Sequence, residues 1–383
     1  MIYADWAADA PVCESAVEEL VRCMSIPGNP SSVHAAGIAA RELTEHARAK
    51  VARLIGCDAD EVYFTSGGTE ADNLAVIGGY EYAKNVLGRG AIVTSAIEHA
   101  AVLNTVRYLE ARGADVRYVA ASERDSSGEP TGRVRAEDFE RVLNGAGLVC
   151  LMYANNETGT VQPISEVTSL AHSAGAIVFC DAVQAAGHVK LDVRELGVDM
   201  LAISGHKLGS PGGIGALYVR RGITLPPILH GGGQERGLRS GTLPVALISS
   251  FGAACAEADE SLTSESAVRE LRDRIAAELS HVGGAHLNGS REHSLPGTLN
   301  VSFDGVGGEE LVNLCSLRGL CISTGSACHS GMGVPSAVLV SMGFDEARAE
   351  GAVRISIGRG TTESEAREIV RIVRESVELI RKS

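Results

Sequence analysis

The residue in this chain best suited to covalent chemistry is Lys207. It ends the run Ser204-Gly205-His206-Lys207, directly after the apolar stretch 200–203 and shortly before a glycine-rich turn. A lysine amine in such a setting can form a Schiff base with a carbonyl compound. A solvated surface lysine is the ordinary alternative, and Lys207 taken alone does not decide between the two.

A carboxylate stands where a second strand should end. Asp181 follows the β-rich run 177–180, and ligands of open α/β sheets bind at the carboxyl ends of the strands. There a carboxylate can pair with a protonated pyridine nitrogen and keep the ring electron-withdrawing, as pyridoxal phosphate chemistry requires. Gln184 is close enough in sequence to reach the phenolic oxygen of the same ring. A helix N-cap is the alternative function for Asp181.

The segment Thr65–Glu70 follows a strand and opens a helix. Small residues at a helix N-terminus expose backbone N–H groups and the positive end of the helix dipole, which favours phosphate binding. Gly68 permits close approach and Thr69 offers a hydroxyl, although a simple glycine turn is the alternative. The segment lacks the lysine of a nucleotide-binding P-loop and the full GxGxxG spacing, so a nucleotide fold is poorly supported.

A thiol lies in a segment of small residues. Cys328 is surrounded by glycine, serine and alanine in 323–333, which suits a loop that must move and offers little core to bury a structural cysteine. A free thiol has a pKa of about 8.5 and needs a nearby base or cation to ionise. His99 could be a core histidine, or it could stack its flat ring on a cofactor.

Bulk properties exclude several classes of protein. The 383 residues carry a net charge of −14, which opposes a sequence-independent grip on nucleic acid. No apolar run reaches the roughly 18 residues that span a bilayer, and the start of the chain has no signal-type segment. Nine cysteines form no CxxC pair and no zinc-type cluster. We expect a cytoplasmic protein that holds no metal and binds neither membranes nor nucleic acid directly.

The order of elements predicts an α/β fold. From about residue 60 to 220, short β-rich runs alternate with helical patterns, which is typical of a largely parallel sheet. After residue 250 charged helices dominate, with helices expected over 257–278 and 365–381, and Thr362 with Glu365 fits a capping box. The predicted strands are Val62–Thr65, Ala91–Thr94, Leu148–Tyr153, Ile177–Cys180, Leu201–Ile203 and Gly215–Val219.

With these residues in place, the chain resembles the cysteine desulfurases of the NifS/IscS-like subgroup, which are class-V aminotransferases of fold type I. The resemblance extends over nearly the whole chain. It implies a large domain over 14–250, with a mostly parallel seven-stranded sheet flanked by helices, and a smaller α+β domain built from 1–13 and 251–383. The motifs that carry it are Asn29–His34, Thr65–Asn73, Glu98-His99, Asn155–Gly159, Asp181–Gln184, Ser204–Lys207, Gly231–Arg236, Arg239–Pro244 and Ser323–Cys328.

The resemblance also implies a cofactor and a residue set. Pyridoxal 5'-phosphate would be bound at Lys207, with His99 stacked on its ring and Asp181 and Gln184 holding the ring nitrogen and phenolic oxygen. Lys207, Cys328 and His99 would be catalytic. The phosphate contacts would be Gly68, Thr69, Ser204, His206 and, from the partner subunit of a homodimer, Thr242. Asn156, also counted with the cofactor contacts, and Arg354 would hold the substrate carboxylate.

The implied reaction converts L-cysteine to L-alanine, with a persulfide formed on Cys328 and passed to an acceptor protein. Iron–sulfur assembly, tRNA thiolation and DNA phosphorothioation all stay open as destinations. The alternatives are a selenocysteine lyase, an aminotransferase of the same fold, or a sulfur-carrier scaffold without turnover. Three places depart from the family pattern, namely Asp5–Pro11, Ser210–Gly213 and His329.

Overall fold

A computed structural model describes residues 1–325 and 335–382 of the chain, so that Cys328 and His329 lie outside the described residues. The strands within these ranges are β1 (Ile2–Tyr3), β2 (Val62–Thr65), β3 (Ala91–Ser95), β4 (Asp115–Val119), β5 (Ala146–Cys150), β6 (Ile177–Asp181), β7 (Met200–Ser204), β8 (Gly215–Val219), β9 (Ala285–Leu287), β10 (Thr298–Phe303), β11 (Leu320–Cys321), β12 (Ser323–Thr324) and β13 (Ala352–Ser356).

The helices in the same ranges alternate with these strands. They are α1 (Glu14–Met24), α2 (Ala35–Ile55), α3 (Gly68–Asn85), α4 (Ala100–Glu110), α5 (Ala136–Glu140), α6 (Ile164–Ser173), α7 (Val193–Leu196), α8 (Val245–Ser261), α9 (Glu265–Leu279), α10 (Gly308–Leu317), α11 (Ala337–Met342), α12 (Glu346–Glu350) and α13 (Glu363–Ile380). Short 3-10 turns at 205–207 and 235–237 belong to the segments discussed below.

The large sheet has seven strands in the order β2-β8-β7-β6-β5-β3-β4. Its pairs are parallel except for β8, which runs antiparallel to both β2 and β7. Every residue of β3, β5, β6, β7 and β8 is buried, because helices cover both faces. The predicted α/β class with a mostly parallel seven-stranded sheet is confirmed.

Two predicted boundaries were wrong. The strand expected over 148–153 is β5, which ends at Cys150, and the chain then leaves the sheet toward the turn at 155–159. The single helix expected over 257–278 is two helices, α8 and α9, separated by a 3-10 turn at 262–264. The turn lies in the polar run 259–266, where Leu262 is the single apolar residue, so the apolar pattern there does not distinguish one helix from two.

A second core lies on a smaller sheet. The antiparallel strands β12-β13-β10-β9 pack with α9, α10 and α13 around a cluster separate from that of the large sheet. The predicted capping box at the start of α13 is present, since Thr362 Oγ1 accepts from Glu365 N and Thr362 N donates to Glu365 Oε2. Residue 250 falls inside α8, which packs on α1 and α2, and the division of the chain there stays a prediction.

The N-terminal segment joins the two cores. Ala4 is buried in the second core, and Trp6 N donates to the carbonyl of Ser356 at 3.2 Å. The Trp6 ring lies so close to Gly358 that a Cβ there would be 2.2 Å from a ring atom. The segment that follows is thereby held beside the large sheet. No helix within the described ranges combines the length and the apolar composition needed to cross a bilayer.

The crossing of α8 and α2 gives a test of packing. A Cβ on Gly252 would lie 2.7 Å from both Cα and Cβ of Ala47. Gly252→Ala gains up to about 1 kcal/mol in helix propensity, but crowding of a packed core costs about 1–3 kcal/mol. We therefore expect a lower free energy of unfolding, measured by urea denaturation. Gly283→Ala is the control, because no described atom lies within 4 Å of its Cβ position, and equal losses in both variants would contradict the argument.

Candidate active site

A cavity of about 650 Å³ opens where β5, β6 and β7 end and α3 begins. Small-molecule sites in proteins commonly have this size and lie at this edge of an α/β sheet. Ten of the residues singled out from the sequence line it. They are Gly68, Thr69, His99, Asn156, Asp181, Gln184, Ser204, His206, Lys207 and Arg354.

Lys207 ends the 3-10 turn that follows β7. Its Nζ donates hydrogen bonds to the carbonyl oxygens of Ala7 and Ala8, at 2.6 and 2.5 Å. Gln184 Nε2 donates to the same carbonyl of Ala7 at 3.1 Å. The N-terminal segment, which departs from the family pattern, therefore contacts two of the predicted cofactor residues directly.

The same segment contacts His206. Asp9 Oδ1 lies 3.2 Å from His206 Nδ1, and Ala10 N donates to the His206 carbonyl at 2.9 Å. Burial and the neighbouring Lys207 lower the pKa of His206, while Asp9 opposes that shift. The acidic residue at position 9 thus favours the charged form of a histidine that the family resemblance assigns to the cofactor phosphate.

Asp181 is the last residue of β6 and is only 5% exposed. Its Oδ1 accepts a hydrogen bond from Val183 N at 2.9 Å. Burial raises the pKa of Asp181, and the positive charges of His99 and Lys207 act in the opposite direction. A carboxylate in this position is stabilised by a cation placed in the cavity.

His99 is the N-cap residue of α4, and its Nδ1 accepts a hydrogen bond from Ala101 N at 3.2 Å. A nitrogen that accepts cannot carry the proton, so the proton of the neutral ring lies on Nε2. The ring nitrogen that is free of the helix cap is therefore the one that can donate.

Close backbone approach shapes the loop at the start of α3. A Cβ on Gly68 would lie 2.8 Å from Val183 Cγ2, and one on Gly215 would lie 2.8 Å from two backbone atoms of Gly67. These contacts bring the loop against Ser204, which pairs with Gly215 across the sheet. The 18-residue helix α3 then directs its N-terminus at the cavity, which is a favourable site for phosphate.

Arg354 lies on β13 of the smaller sheet and is 2% exposed. Its Nη2 pairs with Asp5 Oδ1 at 2.9 Å, and its Nη1 donates to the carbonyl of Asn156 at 2.6 Å. The guanidinium therefore reaches the cavity already oriented from two sides. This is a suitable anchor for a carboxylate, which arginine can bind with two hydrogen bonds.

Two buried acids at the site were missed from the sequence. Asp72 and Glu98 line the cavity, and Asp72 Oδ1 and Glu98 Oε2 have no hydrogen-bond partner among the described residues. Burial and the charge of Asp181 raise the pKa of Asp72 well above its usual range. Burial raises the pKa of Glu98 to about 8, although hydrogen bonds from Ser95 and the backbone of Met152 oppose it. The available signal was spacing, because Asp72 stands four residues after Gly68 on the same face of α3.

Two predicted residues are not placed at this cavity. None of the described residues between 214 and 325 lines it, so Thr242 lies away from the cavity of its own chain and is exposed. Cys328 lies outside the described residues. The ends of its segment are described, however, and both meet Glu157 at the cavity edge. Ser336 Oγ donates to Glu157 Oε2, and a Cβ on Gly325 would lie 2.7 Å from that oxygen.

The residues present fit pyridoxal phosphate. Three groups line one cavity. They are the buried carboxylate of Asp181, which favours a cation nearby, the amine of Lys207, and the N-terminus of α3, which is suited to phosphate. Asp181 would hold the pyridine nitrogen, Lys207 the aldehyde carbon, and the start of α3 with Ser204 and His206 the phosphate. The cavity size also allows a small amino-acid substrate beside the cofactor.

Glu98 gives a prediction about pH. Because its folded-state pKa of about 8 lies above its usual 4.5, folding must keep a proton on Glu98 between these values. The resulting destabilisation of the folded state is absent below pH 4.5, grows as the pH rises, and reaches its full size above about pH 8. Glu98→Gln removes that cost, so the variant should gain stability relative to the unsubstituted protein between pH 5 and pH 8, as measured by urea denaturation. A pH-independent difference would show that Glu98 titrates normally.

Comparisons with known proteins identify the family of the chain. The aminotransferase class-V family model matches residues 2–369. The chain is 40% identical over 388 residues to a cysteine desulfurase IscS from Pectobacterium atrosepticum, covering 99% of this chain and 93% of that protein. A solved NifS-like protein superposes with a TM-score of 0.90 at 35% identity and covers 99% of both chains. The structure of SspA in complex with cysteine has a TM-score of 0.79 at 34% identity, covering 93% of this chain and 99% of that one. The chain therefore belongs to the class-V aminotransferase family and, within it, to the cysteine desulfurases.

Proposed function

We propose that this protein takes sulfur from L-cysteine, leaves L-alanine, and carries the sulfur as a persulfide on Cys328 to an acceptor protein. The observation that carries the proposal is the convergence on one cavity of Lys207, Asp181 and Arg354 with both ends of the Cys328 segment. Cys328 follows Gly325 by three residues in the sequence.

Substrate binding follows from the charges on the cavity wall. Arg354 is the cation suited to the substrate carboxylate, and the carbonyl of Asn156 keeps its guanidinium in place. The structure of SspA, which belongs to the same fold at 34% identity, was solved with cysteine. Arg354 and Lys207 line the same cavity, so a cysteine held by its carboxylate at Arg354 would share that cavity with the amine of Lys207.

The chain's own residues then move protons and sulfur. Pyridoxal phosphate, when bound, draws electrons from the substrate Cα and so lets its proton leave. Lys207 Nζ takes that proton, and His99 Nε2 is placed to exchange one with the substrate thiol. The Cys328 thiolate attacks the substrate sulfur. An S–S bond forms, and the Cβ–S bond breaks with its electron pair left on Cβ. The proton of the substrate thiol passes to Cβ, and Lys207 returns the proton of Cα, which gives alanine and a persulfide anion on Cys328.

Six of the described cysteines are poor candidates for the same step. All eight are free, and burial raises the pKa of six of them, for example to about 12 for Cys57. A thiol whose pKa is raised is seldom a thiolate and seldom a nucleophile. Free thiols also agree with a reducing compartment, and a cytoplasmic location is part of this proposal.

We include a homodimer in the proposal. Val17, Val21 and Met24 lie on one face of α1 at helical spacing, and they are 44%, 64% and 72% exposed. Apolar side chains at such spacing normally face a partner. Thr242 is exposed and away from its own cavity, as a residue that serves the other subunit should be. The acceptor is a protein in this proposal, since a net charge of −14 disfavours nucleic acid.

Two substitutions separate cofactor binding from sulfur transfer. Lys207→Ala should abolish the visible absorbance of bound cofactor, because the covalent attachment is lost. Cys328→Ser should keep that absorbance and lose alanine production by about 1,000-fold or more, since a hydroxyl does not replace a thiolate nucleophile. Cys57→Ser is the control and should keep both. Undiminished alanine release by Cys328→Ser would remove Cys328 from its role.

Arg354 should determine affinity for the substrate. Arg354→Lys keeps the charge but loses the planar pair of donors, so we expect KM for cysteine to rise about tenfold, the size of one lost charge-assisted hydrogen bond. Steady-state alanine production measures it. A rise in KM for a keto-acid acceptor, with transamination as the main activity, would instead favour an aminotransferase.

A further inference from the structure

Glu235 and Arg236 form an unusual turn. Among the described residues they are the two non-glycine residues with positive φ, at 47° and 55°. A side chain is strained in this left-handed region, which glycine adopts without cost. Gly233 and Gly237 on either side also have positive φ. Glu235 and Arg236 therefore have a backbone conformation that normally requires glycine. Such strain persists only where the surrounding structure imposes it.

A buried ion pair imposes this turn. Glu235 Oε1 and Oε2 accept from Arg48 Nη2 and Nη1, each at 2.8 Å, and both side chains are almost wholly buried. Phe64 N on β2 donates to Glu235 Oε2 at 2.7 Å. Two parallel bonds to a guanidinium fix the carboxylate in orientation as well as in position. The strained turn is thus fastened to α2 and to the edge strand of the large sheet.

The turn continues into the segment that ends at Thr242. Gln234, next to Glu235, accepts from Gly241 N at 2.8 Å through its Oε1. Ser240 Oγ accepts from Gly233 N at 3.3 Å. These bonds close the two ends of the turn on each other directly before Thr242. The position of Thr242 therefore depends on the conformation at 234–236.

The same segment also touches the phosphate loop of its own chain. Arg239 forms two bonds with Glu70, Nε to Oε1 at 2.7 Å and Nη2 to Oε2 at 3.1 Å. Glu70 Oε2 in turn accepts from Ser66 N at 2.8 Å. The turn is held against one cofactor cradle while Thr242 faces outward.

We infer that Arg48 and Glu235 are positioning residues for the cofactor site of the partner subunit, because they hold the strained turn that presents Thr242 to the phosphate bound there. The inference rests on the proposed homodimer and on the proposed role of Thr242. It adds two residues of one chain, neither of which lines its own cavity, to the residues that determine cofactor retention in the other chain.

The test is the rate at which the holoenzyme releases its cofactor, followed by the visible absorbance that remains during dialysis. Glu235→Gln keeps the shape of the side chain and removes its charge. It should stay dimeric by light scattering and release cofactor about tenfold faster, the effect expected when one strained residue is no longer held. Arg48→Lys, which keeps the charge but loses the paired donors, should act in the same direction and serves if Glu235→Gln does not fold.

Glu45→Gln is the matched control. Glu45 is the other carboxylate that bonds Arg48, at 3.2 Å, but its side chain is 55% exposed and its bonds to Arg48 do not involve the turn. Its release rate should match that of the unsubstituted holoenzyme. Equal acceleration in Glu45→Gln and Glu235→Gln would overturn the inference, because it would assign the effect to Arg48 and α2 in general.

A rescue separates strain from simple packing. Adding Arg236→Gly to Glu235→Gln lets position 236 adopt positive φ without a side chain, so the double variant should release cofactor more slowly than Glu235→Gln alone. A double variant that is no slower would overturn the inference. Thr242→Ala distinguishes the underlying proposal. Fast release in Thr242→Ala with normal release in Glu235→Gln overturns the inference alone, whereas normal release in Thr242→Ala overturns both.

Discussion

The burial of Asp181 at the end of β6 is the constraint on which the site depends. Its carboxylate lies in a cavity that also contains the buried acids Asp72 and Glu98. Three neighbouring acids removed from water cannot all be ionised, so positive charge in the cavity decides which of them is. Lys207 supplies part of that charge, and the ring nitrogen of pyridoxal phosphate would supply a cation if it were bound at Asp181. The buried acids of the cavity thus favour a ligand with a cationic group, and the protonated pyridine ring of this cofactor is such a group.

The two cores divide the chemistry between them. The large sheet supplies most of the cavity wall, since its parallel strands end at one edge. The smaller sheet supplies Arg354 and the strand before the Cys328 segment. The N-terminal segment connects them, with Asp5 on Arg354 and the carbonyls of Ala7 and Ala8 on Lys207. The shape of the cavity therefore requires both cores to keep their relative placement.

The sequence predicted the class of fold and most of the cavity wall because those residues follow buried strands or open helices. Asp181, Ser204 and Gly68 could be placed from strand ends and glycine alone. Glu98 and Asp72 could not, since an acid next to a helix start usually faces solvent. The contact of Asp5 with Arg354 joins residues at opposite ends of the chain, and no local pattern reveals such a pair. The strained turn at Glu235 was not predicted either, because positive φ is expected of glycine and not of glutamate.

The place of Trp6 gives the protein an internal optical reporter. It is the single tryptophan of the chain, it packs against Gly358, and the next residue, Ala7, accepts hydrogen bonds from Lys207 and Gln184. Its emission therefore arises from one known location beside the cavity. Indole fluorescence overlaps the absorption of pyridoxal compounds, so quenching by energy transfer would register occupancy of the cavity without any added label.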